Sequence, residues 1–430
     1  MWWVYEALLV VALVAYLPKA LWRRRLPHRG WRMRLGRYPA SIHESLRGAR
    51  PIWVHAVSVG EVSAARPLVD ALAARAPGEP LVLSTITPGG FDVASKHLGD
   101  RGVAIYFPLD VRRCVRRALD ALHPRALLLL ESELWPTAVR LTQARGIPIV
   151  IVNGRVSMRT YRRAQRLIPW LGGLLRYVDL FLMQSETDAD RIIRLGALPA
   201  SVQVTGNLKW EASLAARPAP AMVEETAGWL GLNGQERLIV GGSTHRGEEA
   251  ELLRALQALR ASHGSVRLLL APRHLERLAE VEGLVQQAGF SSRRLSHAPR
   301  GARWDVGLVD TFGQLPRYYG LASAVFIGGS LIPHGGQNPL EAASLGKPIV
   351  FGPSMHNFTD IASQLTSHQA ARQLSGAAQL LPALRGLLQD PASAHAMGRR
   401  AQELTERSRG ALQRTLEALR PLIAASSSTT

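Results

Sequence analysis

Acidic side chains stand just beyond two apolar runs of this chain, where a proton can be moved. In Trp53-Val54-His55-Ala56-Val57-Ser58-Val59-Gly60-Glu61 a carboxylate follows a β-rich run, and in Glu131-Ser132-Glu133-Leu134-Trp135-Pro136 another follows the run 126–130. The carboxyl ends of strands form the mouth of a parallel sheet, so Glu61 and Glu131 are placed for acid–base work there. An acid at such a point also suits the first turn of the next helix, and spacing does not separate the two uses. Gly206-Asn207-Leu208-Lys209 closes the first half of the chain. Only four of the 52 basic residues are lysines, so Lys209 inside a motif stands out.

Two glycine-rich turns suit an anion. In Gly328-Gly329-Ser330-Leu331-Ile332-Pro333-His334-Gly335-Gly336-Gln337-Asn338-Pro339-Leu340-Glu341 an apolar run ends in glycines and a loop follows. Asn338 as cap and Pro339 in the first helical position predict a helix start. Glycines let the backbone approach a ligand, and a helix N-terminus offers free N–H groups to a phosphate. Glu341, in the first turn, is placed to accept hydrogen bonds from ribose hydroxyls; an ordinary capped helix fits the spacing equally. The second turn, Gly241 to Glu249, reads as an anion cradle or as a plain β–α connection. Pro272-Arg273-His274 ends another run, where Arg273 suits a carboxylate or phosphate. No G-x-x-x-x-G-K-[ST] loop and no G-x-G-x-x-G in the right context occurs, which disfavours nucleotide hydrolysis and hydride transfer. Asp188-Ala189-Asp190 opens a helix and reads as a capping run. His245, His274, His334 and His356 are scattered without metal-ligand spacing, so no metal is expected.

The elements that position these residues alternate between strand and helix, twice over. Strand candidates in the first half are 52–57, 81–86, 103–106, 126–130, 148–152 and 180–183; in the second they are 238–241, 266–271, 306–309, 324–327 and 348–351. Such alternation means α/β, a doubly wound parallel sheet covered on both faces. The Ala- and Pro-bearing stretch 211–236 interrupts it and reads as a linker with short helical turns. The expected organisation is a membrane-anchoring or interfacial helix over 1–25, Rossmann-like domains over 26–210 and 237–425 facing an interdomain cleft, and a disordered Ser/Thr tail over 426–430.

At 430 residues and 47% hydrophobic, the chain has enough apolar matter for two full cores and is not a disordered protein. Its single cysteine, Cys114, excludes a disulfide scaffold. The net charge of +19 calls for a polyanionic ligand or surface. Residues 7–17 are continuously apolar and make about 16 Å of helix, half of a ~30 Å hydrocarbon core. Tryptophans and tyrosines flank them, and Arg23, Arg24, Arg25 and further arginines follow rather than precede them. That order is not a secretory signal and leaves the body of the protein on the cytoplasmic side.

In combination, HAVSVGEV at 55–62, ESELWP at 131–136, GNLK at 206–209, GSTHRGEE at 242–249, APRH at 271–274 and GGQNPLEAA at 335–343 resemble the 3-deoxy-D-manno-octulosonic acid (Kdo) transferases of lipopolysaccharide assembly. The resemblance runs in order over roughly residues 1 to 400. It implies a glycosyltransferase with two Rossmann-like domains, of the GT-B type, that moves Kdo from CMP-Kdo to the lipid A precursor lipid IVA at the cytoplasmic face of the inner membrane. Glu61 falls on the family's base position, and Glu131 and Lys209 fall on positions assigned to transition-state stabilisation. Pro272, Arg273, Phe312, Gly313, Gln314, Asn338, Pro339, Leu340 and Glu341 fall on the CMP-binding segments. Gln314 stands where a glutamate is common and Leu275 where a proline is; Asn153-Gly154-Arg155-Val156-Ser157 looks like the family's Asn-Ala-Arg-Leu-Ser.

The resemblance implies no cofactor, with CMP-Kdo as donor substrate, and anionic inner-membrane lipids rather than nucleic acid as the polyanionic surface. Two other readings stay open on sequence: a GT-B protein acting on a nucleotide-diphosphate sugar, including an epimerase, and a basic membrane-surface protein that binds lipid or nucleic acid without catalysis.

Overall fold

Alternating apolar runs and amphipathic segments build two parallel sheets in the computed structural model, which describes residues 30–425 except 132, 298–300 and 302, together with Tyr5, Glu6, Leu9 and Val11. The anchor expected over 1–25 and the tail over 426–430 lie largely outside the described residues. Among those described, no helix is long and apolar enough to cross a membrane. Tyr5 donates to Asp110 Oδ2 at 2.9 Å and Glu6 Oε1 accepts from the Arg112 N–H at 2.7 Å, so these two residues are held against residues 110–112.

Two compact units form, one from Met1–Leu208 with Gly410–Thr430 and the other from Lys209–Arg409. The first holds β1 (Ile52–His55), β2 (Leu81–Thr85), β3 (Gly102–Tyr106), β4 (Ala126–Leu130), β5 (Ile149–Gly154), β6 (Leu180–Met183) and β7 (Val202–Val204), ordered β3-β2-β1-β4-β5-β6-β7. All neighbours are parallel. The second holds β8 (Arg237–Thr244), β9 (Val266–Pro272), β10 (Ser292–Arg294), β11 (Val306–Leu308), β12 (Ala324–Ile327), β13 (Ile349–Phe351) and β14 (Arg372–Gln373), ordered β10-β11-β9-β8-β12-β13-β14 and again parallel throughout.

Helices cover both faces of each sheet, so alternate strand residues enter different cores. Trp53, Leu127 and Leu129 belong to one cluster of the first unit, while Ile52, Val54, Leu128 and Leu130 belong to the other. In the second unit Val240 and Leu269 face one way, Ile239, Leu268 and Leu270 the other. Burial on both faces is why these strands read as continuous apolar runs.

Two sequence-derived boundaries change. The second domain does not extend to 425: Ala411, Leu416 and Leu419 of the helix Ala411–Ala425 are buried in a core of the first unit with Val69 and Leu72. Arg414 Nε donates to the Thr205 carbonyl at 3.0 Å and fastens that helix beside β7. The stretch 211–236, expected as a linker with short helical turns, belongs to the second unit. It contains the helix Pro220–Trp229, and Leu230 is buried in a core of the second unit.

Candidate functional site

In each sheet the chain winds outward on one side and then returns to the other, which creates a topological switch point where ligands bind in open α/β sheets. The first sheet switches between β1 and β4, the second between β8 and β12. Glu61 and Glu131 stand at the first of these places and the turns 241–249 and 328–341 at the second, while Lys209 follows the edge strand β7 and Phe312, Gly313 and Gln314 follow β11.

Beyond β1, Ser58 caps the helix Val59–Arg75 and its hydroxyl accepts the Glu61 N–H. Glu61 answers in the manner of a capping box. Its Oε2 accepts the Val57 N–H at 2.7 Å, and its Oε1 accepts the Ser58 hydroxyl at 3.1 Å. Glu61 therefore orders its own helix and also stands at the strand mouth. Burial, then the charge of Glu131 and, more weakly, that of Glu133 push its carboxyl from 4.5 up to about 7, against the partial relief of the Val57 and Ser58 bonds. The same burial and Glu131 raise Glu133. So β1 and β4 bring three carboxylates into electrostatic contact, and one of them is poised to exchange a proton near neutrality.

Glu131 takes up a left-handed backbone, φ 58°, while its N–H still donates to the Val152 carbonyl at 2.8 Å. A non-glycine residue held there stores strain, which clusters at functional sites. Asn153, at the end of β5, does the same with φ 56°. It is fully buried, and its Oδ1 accepts the Leu208 N–H at 2.9 Å. Its carbonyl accepts from Gln184, whose own Oε1 accepts from Asn207 at 2.8 Å. Asn153 thus fixes the backbone of Asn207-Leu208 directly ahead of Lys209, the second residue of the helix Leu208–Ala215. Sequence reasoning assigned Asn153 no role; a polar residue closing an otherwise apolar run was the available signal.

His55 lies under this mouth, wholly buried and stacked on Phe107 at a centroid distance of 3.9 Å. Burial drives its imidazole down to about 3, so it is neutral, with Nδ1 2.9 Å from the Ser84 hydroxyl. It supports the site and supplies no cation. Asp188 belongs to a helix-capping run as read from sequence, with its N–H facing the hydroxyl of the cap Ser185, but it is buried rather than solvated and its Oδ1 accepts the Val156 N–H at 2.8 Å.

In the second unit β8 runs to Thr244 and the helix Glu248–His263 follows. Glu248 is completely buried, and its carboxylate accepts four backbone N–H groups: those of His245, Gly329, Ser330 and Leu331, at 2.7 to 3.0 Å. The amides of the glycine-rich turn after β12, read from sequence as a phosphate cradle, are thereby taken. Gly328 is required here, since a Cβ on it would come within 2.2 Å of the Ser243 carbonyl oxygen where the two turns touch. Sequence reasoning missed Glu248 in this part, although GSTHRGEE contained it.

The helix expected from Asn338 starts later, at Leu340, and is only five residues long. Pro339 sits at the cap with φ −87°, and Asn338 Oδ1 still accepts the Leu340 N–H at 3.0 Å. Asn338 is exposed and Leu340 is in the core. Burial raises the Glu341 carboxyl, and burial first and then the charge of Glu341 raise the phenol of Tyr319. Pro272 ends β9, followed by exposed Arg273 and His274. Beyond β11, Phe312 is 70% exposed and Gly313 is left-handed. Gln314 lines a cavity of about 290 Å³ with Trp229, Thr311, Arg317 and Tyr318.

The histidines are not scattered in space. His334 lies against His245 with ring centroids 4.0 Å apart, and His274 meets the same ring edge-on at 5.7 Å. The ends of β8, β9 and β12 converge, which sequence separation concealed. Among the described residues no group of three His, Cys, Asp or Glu side chains is arranged to hold a metal ion.

Residues 29–212 match a family model described as 3-deoxy-D-manno-octulosonic-acid transferase. The chain is 36% identical over 418 residues to 3-deoxy-D-manno-octulosonic acid transferase of Bordetella pertussis, covering 93% of this chain and 94% of the relative. It is 32% identical over 397 residues to the protein of the same name from Haemophilus influenzae, covering 91% and 92%. In fold it is similar to a UDP-GlcNAc 2-epimerase from Neisseria meningitidis, with TM-score 0.57, 12% identity, and coverage of 86% of this chain and all of that one.

Proposed function

Because the chain belongs to the 3-deoxy-D-manno-octulosonic acid (Kdo) transferase family, we propose that it transfers Kdo from CMP-Kdo to lipid IVA, inverting the anomeric configuration and needing no metal ion. The observation that carries this reading is Glu61, a carboxyl raised to about 7 at the switch point of the first sheet. A primary sugar hydroxyl is a weak nucleophile, and a base with a pKa near the working pH takes its proton as the new bond forms. Glu131 raises the basicity of Glu61 and carries charge suited to an oxocarbenium-like carbon. Attack on the face opposite the nucleotide inverts that carbon.

CMP leaves as a monophosphate, which carries less charge than a diphosphate. Arg273, with Lys209 as the family resemblance places it, supplies positive charge without a divalent ion. Pro272, Arg273, the segment 312–314 and the segment 338–341 form the proposed CMP site, with the cavity beside Gln314 of a size to take a pyrimidine base. A doubly phosphorylated lipid and an anionic bilayer suit the charge of +19, and the proposed location is the cytoplasmic face of the inner membrane.

Mass spectrometry of lipid IVA incubated with the protein, CMP-Kdo and a chelator tests donor, acceptor and metal need together. Added mass in whole Kdo units is the expected result; an unchanged acceptor with chelator, restored by a divalent cation, would contradict metal independence. Competition by CMP against UDP separates this reading from an activity on a nucleotide-diphosphate sugar.

A further inference from the structure

Glu248 blocks the usual route to an anion site in the second unit. Its carboxylate fills the amides of Gly329, Ser330 and Leu331, so an incoming phosphate finds a negative charge where free N–H groups would otherwise be. The helix that follows is a single turn of five residues and carries little dipole. With these three amides taken, side chains at this switch point become the stronger candidates to meet an anion.

We propose that His245, His274 and His334, together with Arg273, form the subsite for the leaving phosphate of the donor, and that the imidazoles take up protons as that phosphate is bound. The inference rests on the CMP-Kdo reading given above and adds to it which groups receive the charge.

The surroundings favour this assignment. His245 is buried at 7% exposure, while His274, His334 and Arg273 are exposed around it. Gln337 Nε2 lies 3.1 Å from His245 Nε2 and fixes the ring. Except for Glu276, the nearby carboxylates are engaged elsewhere. Glu249 and Glu280 pair with Arg277, and Glu280 also pairs with Arg246. Glu248 is held by its four amides, and Glu276 is 3.4 Å from His274 on the solvent side. Arg273 has no carboxylate partner among the described residues. His356 lies beside Gly335, its Nε2 2.6 Å from where a Cβ on that residue would stand.

With no anion present, burial first and then the charges of His334, His274, Arg273 and Arg277 lower the His245 imidazole to about 4. A neutral His245 beside this positive charge is the state an added dianion reverses. When the bond from the anomeric carbon to the phosphate oxygen breaks, its electron pair stays on that oxygen and the phosphate goes from one negative charge to two. Protonated imidazoles offset that second charge.

Calorimetric titration of the full chain with CMP at pH 7.5, in two buffers of different ionisation enthalpy, reads proton uptake directly; cytidine is the control without phosphate. The unaltered protein is expected to take up protons with CMP and none with cytidine. His274→Gln with His334→Gln, both at exposed positions, is expected to weaken CMP about tenfold, the size of one charge-assisted hydrogen bond, and to abolish uptake while leaving cytidine unchanged. His245→Gln, checked by its melting temperature, should act in the same direction. Equal losses for CMP and cytidine, or undiminished uptake in the variants, would overturn the subsite while the donor assignment stood. Free Kdo, a carboxylate without phosphate, displacing CMP from the unaltered protein but not from the variants would reassign the cluster to the sugar. Absence of any CMP binding by the unaltered protein would overturn the donor reading and the subsite together.

Discussion

Glu61 and Glu248 occupy matching places in two sheets of similar winding. Each follows a glycine, and each lies in the first turn of the helix after the strand that begins its sheet at the switch point, β1 for one and β8 for the other. Their chemistry diverges because of what surrounds the carboxyl. Glu248 is wholly buried and accepts four amides, so it holds two turns together. Glu61 is bonded to one amide and one hydroxyl, is only partly buried, and faces two other acids. A carboxylate saturated by backbone donors is structural, while one left short of donors beside like charge is reactive.

The strongest way to break this comparison is Glu61→Gln, which should cut transfer by about a hundredfold to ten-thousandfold while leaving CMP binding intact. Turnover within a few-fold of the parent, measured with saturating donor, would remove Glu61 as the base. Its counterpart, Glu248→Ala, orphans four buried N–H groups and should lower stability by about 3 kcal/mol or more in urea unfolding. A variant as stable as the parent would show that the amides find water or another acceptor.

The pH dependence sharpens the same contrast. Transfer should rise with pH and level off above about 7, following deprotonation of Glu61. Glu131→Gln removes a neighbouring negative charge, so the rising limb should move to lower pH even where the rate itself falls. An unmoved limb would show that another group sets the profile.

Stability carries the opposite sign. The native state holds the Glu61 proton longer than the unfolded chain does, since the carboxyl lies at about 7 rather than 4.5. The stabilisation linked to that proton is full below about pH 4.5 and is lost as pH rises through 7. Glu61→Gln should therefore melt higher than the parent at pH 8 and lose that advantage at pH 4.

The smallest effect concerns Gly60. It is exposed, and an added Cβ would meet nothing closer than the Ser58 hydroxyl oxygen at 3.8 Å. Packing does not demand glycine there, so Gly60→Ala should stabilise the helix by up to about 1 kcal/mol. If the open surface beside Glu61 receives the acceptor, the same change raises KM for it; unchanged kinetics would remove that role.

Much of this was legible before any coordinates. Every inner strand of both sheets corresponds to an apolar run recognised in the sequence, with ends shifted by a few residues. The strands without a forecast are β7, β10 and β14, and all three are edges: Arg372 and Gln373 of β14 are exposed and Ser292–Arg294 of β10 are half-buried. An edge strand is covered on fewer sides and needs no continuous apolar run. The helix at Asn338 is expected one residue early because Asn-Pro predicts a cap wherever it occurs. Here Asn338 forms the turn and the helix begins beyond Pro339.

The sequence by itself determined two parallel α/β units, the order of the motifs and the carboxylates at the strand ends, because burial on two faces and strand–helix alternation are written locally in residue type. Only the tertiary structure decided that Glu248 closes the amides an anion would use, that His245, His274 and His334 meet, and that the final helix returns to the first unit. Those outcomes depend on which strand ends become neighbours across a sheet. Neighbours such as β8 and β12, more than 70 residues apart along the chain, leave no periodic trace in it.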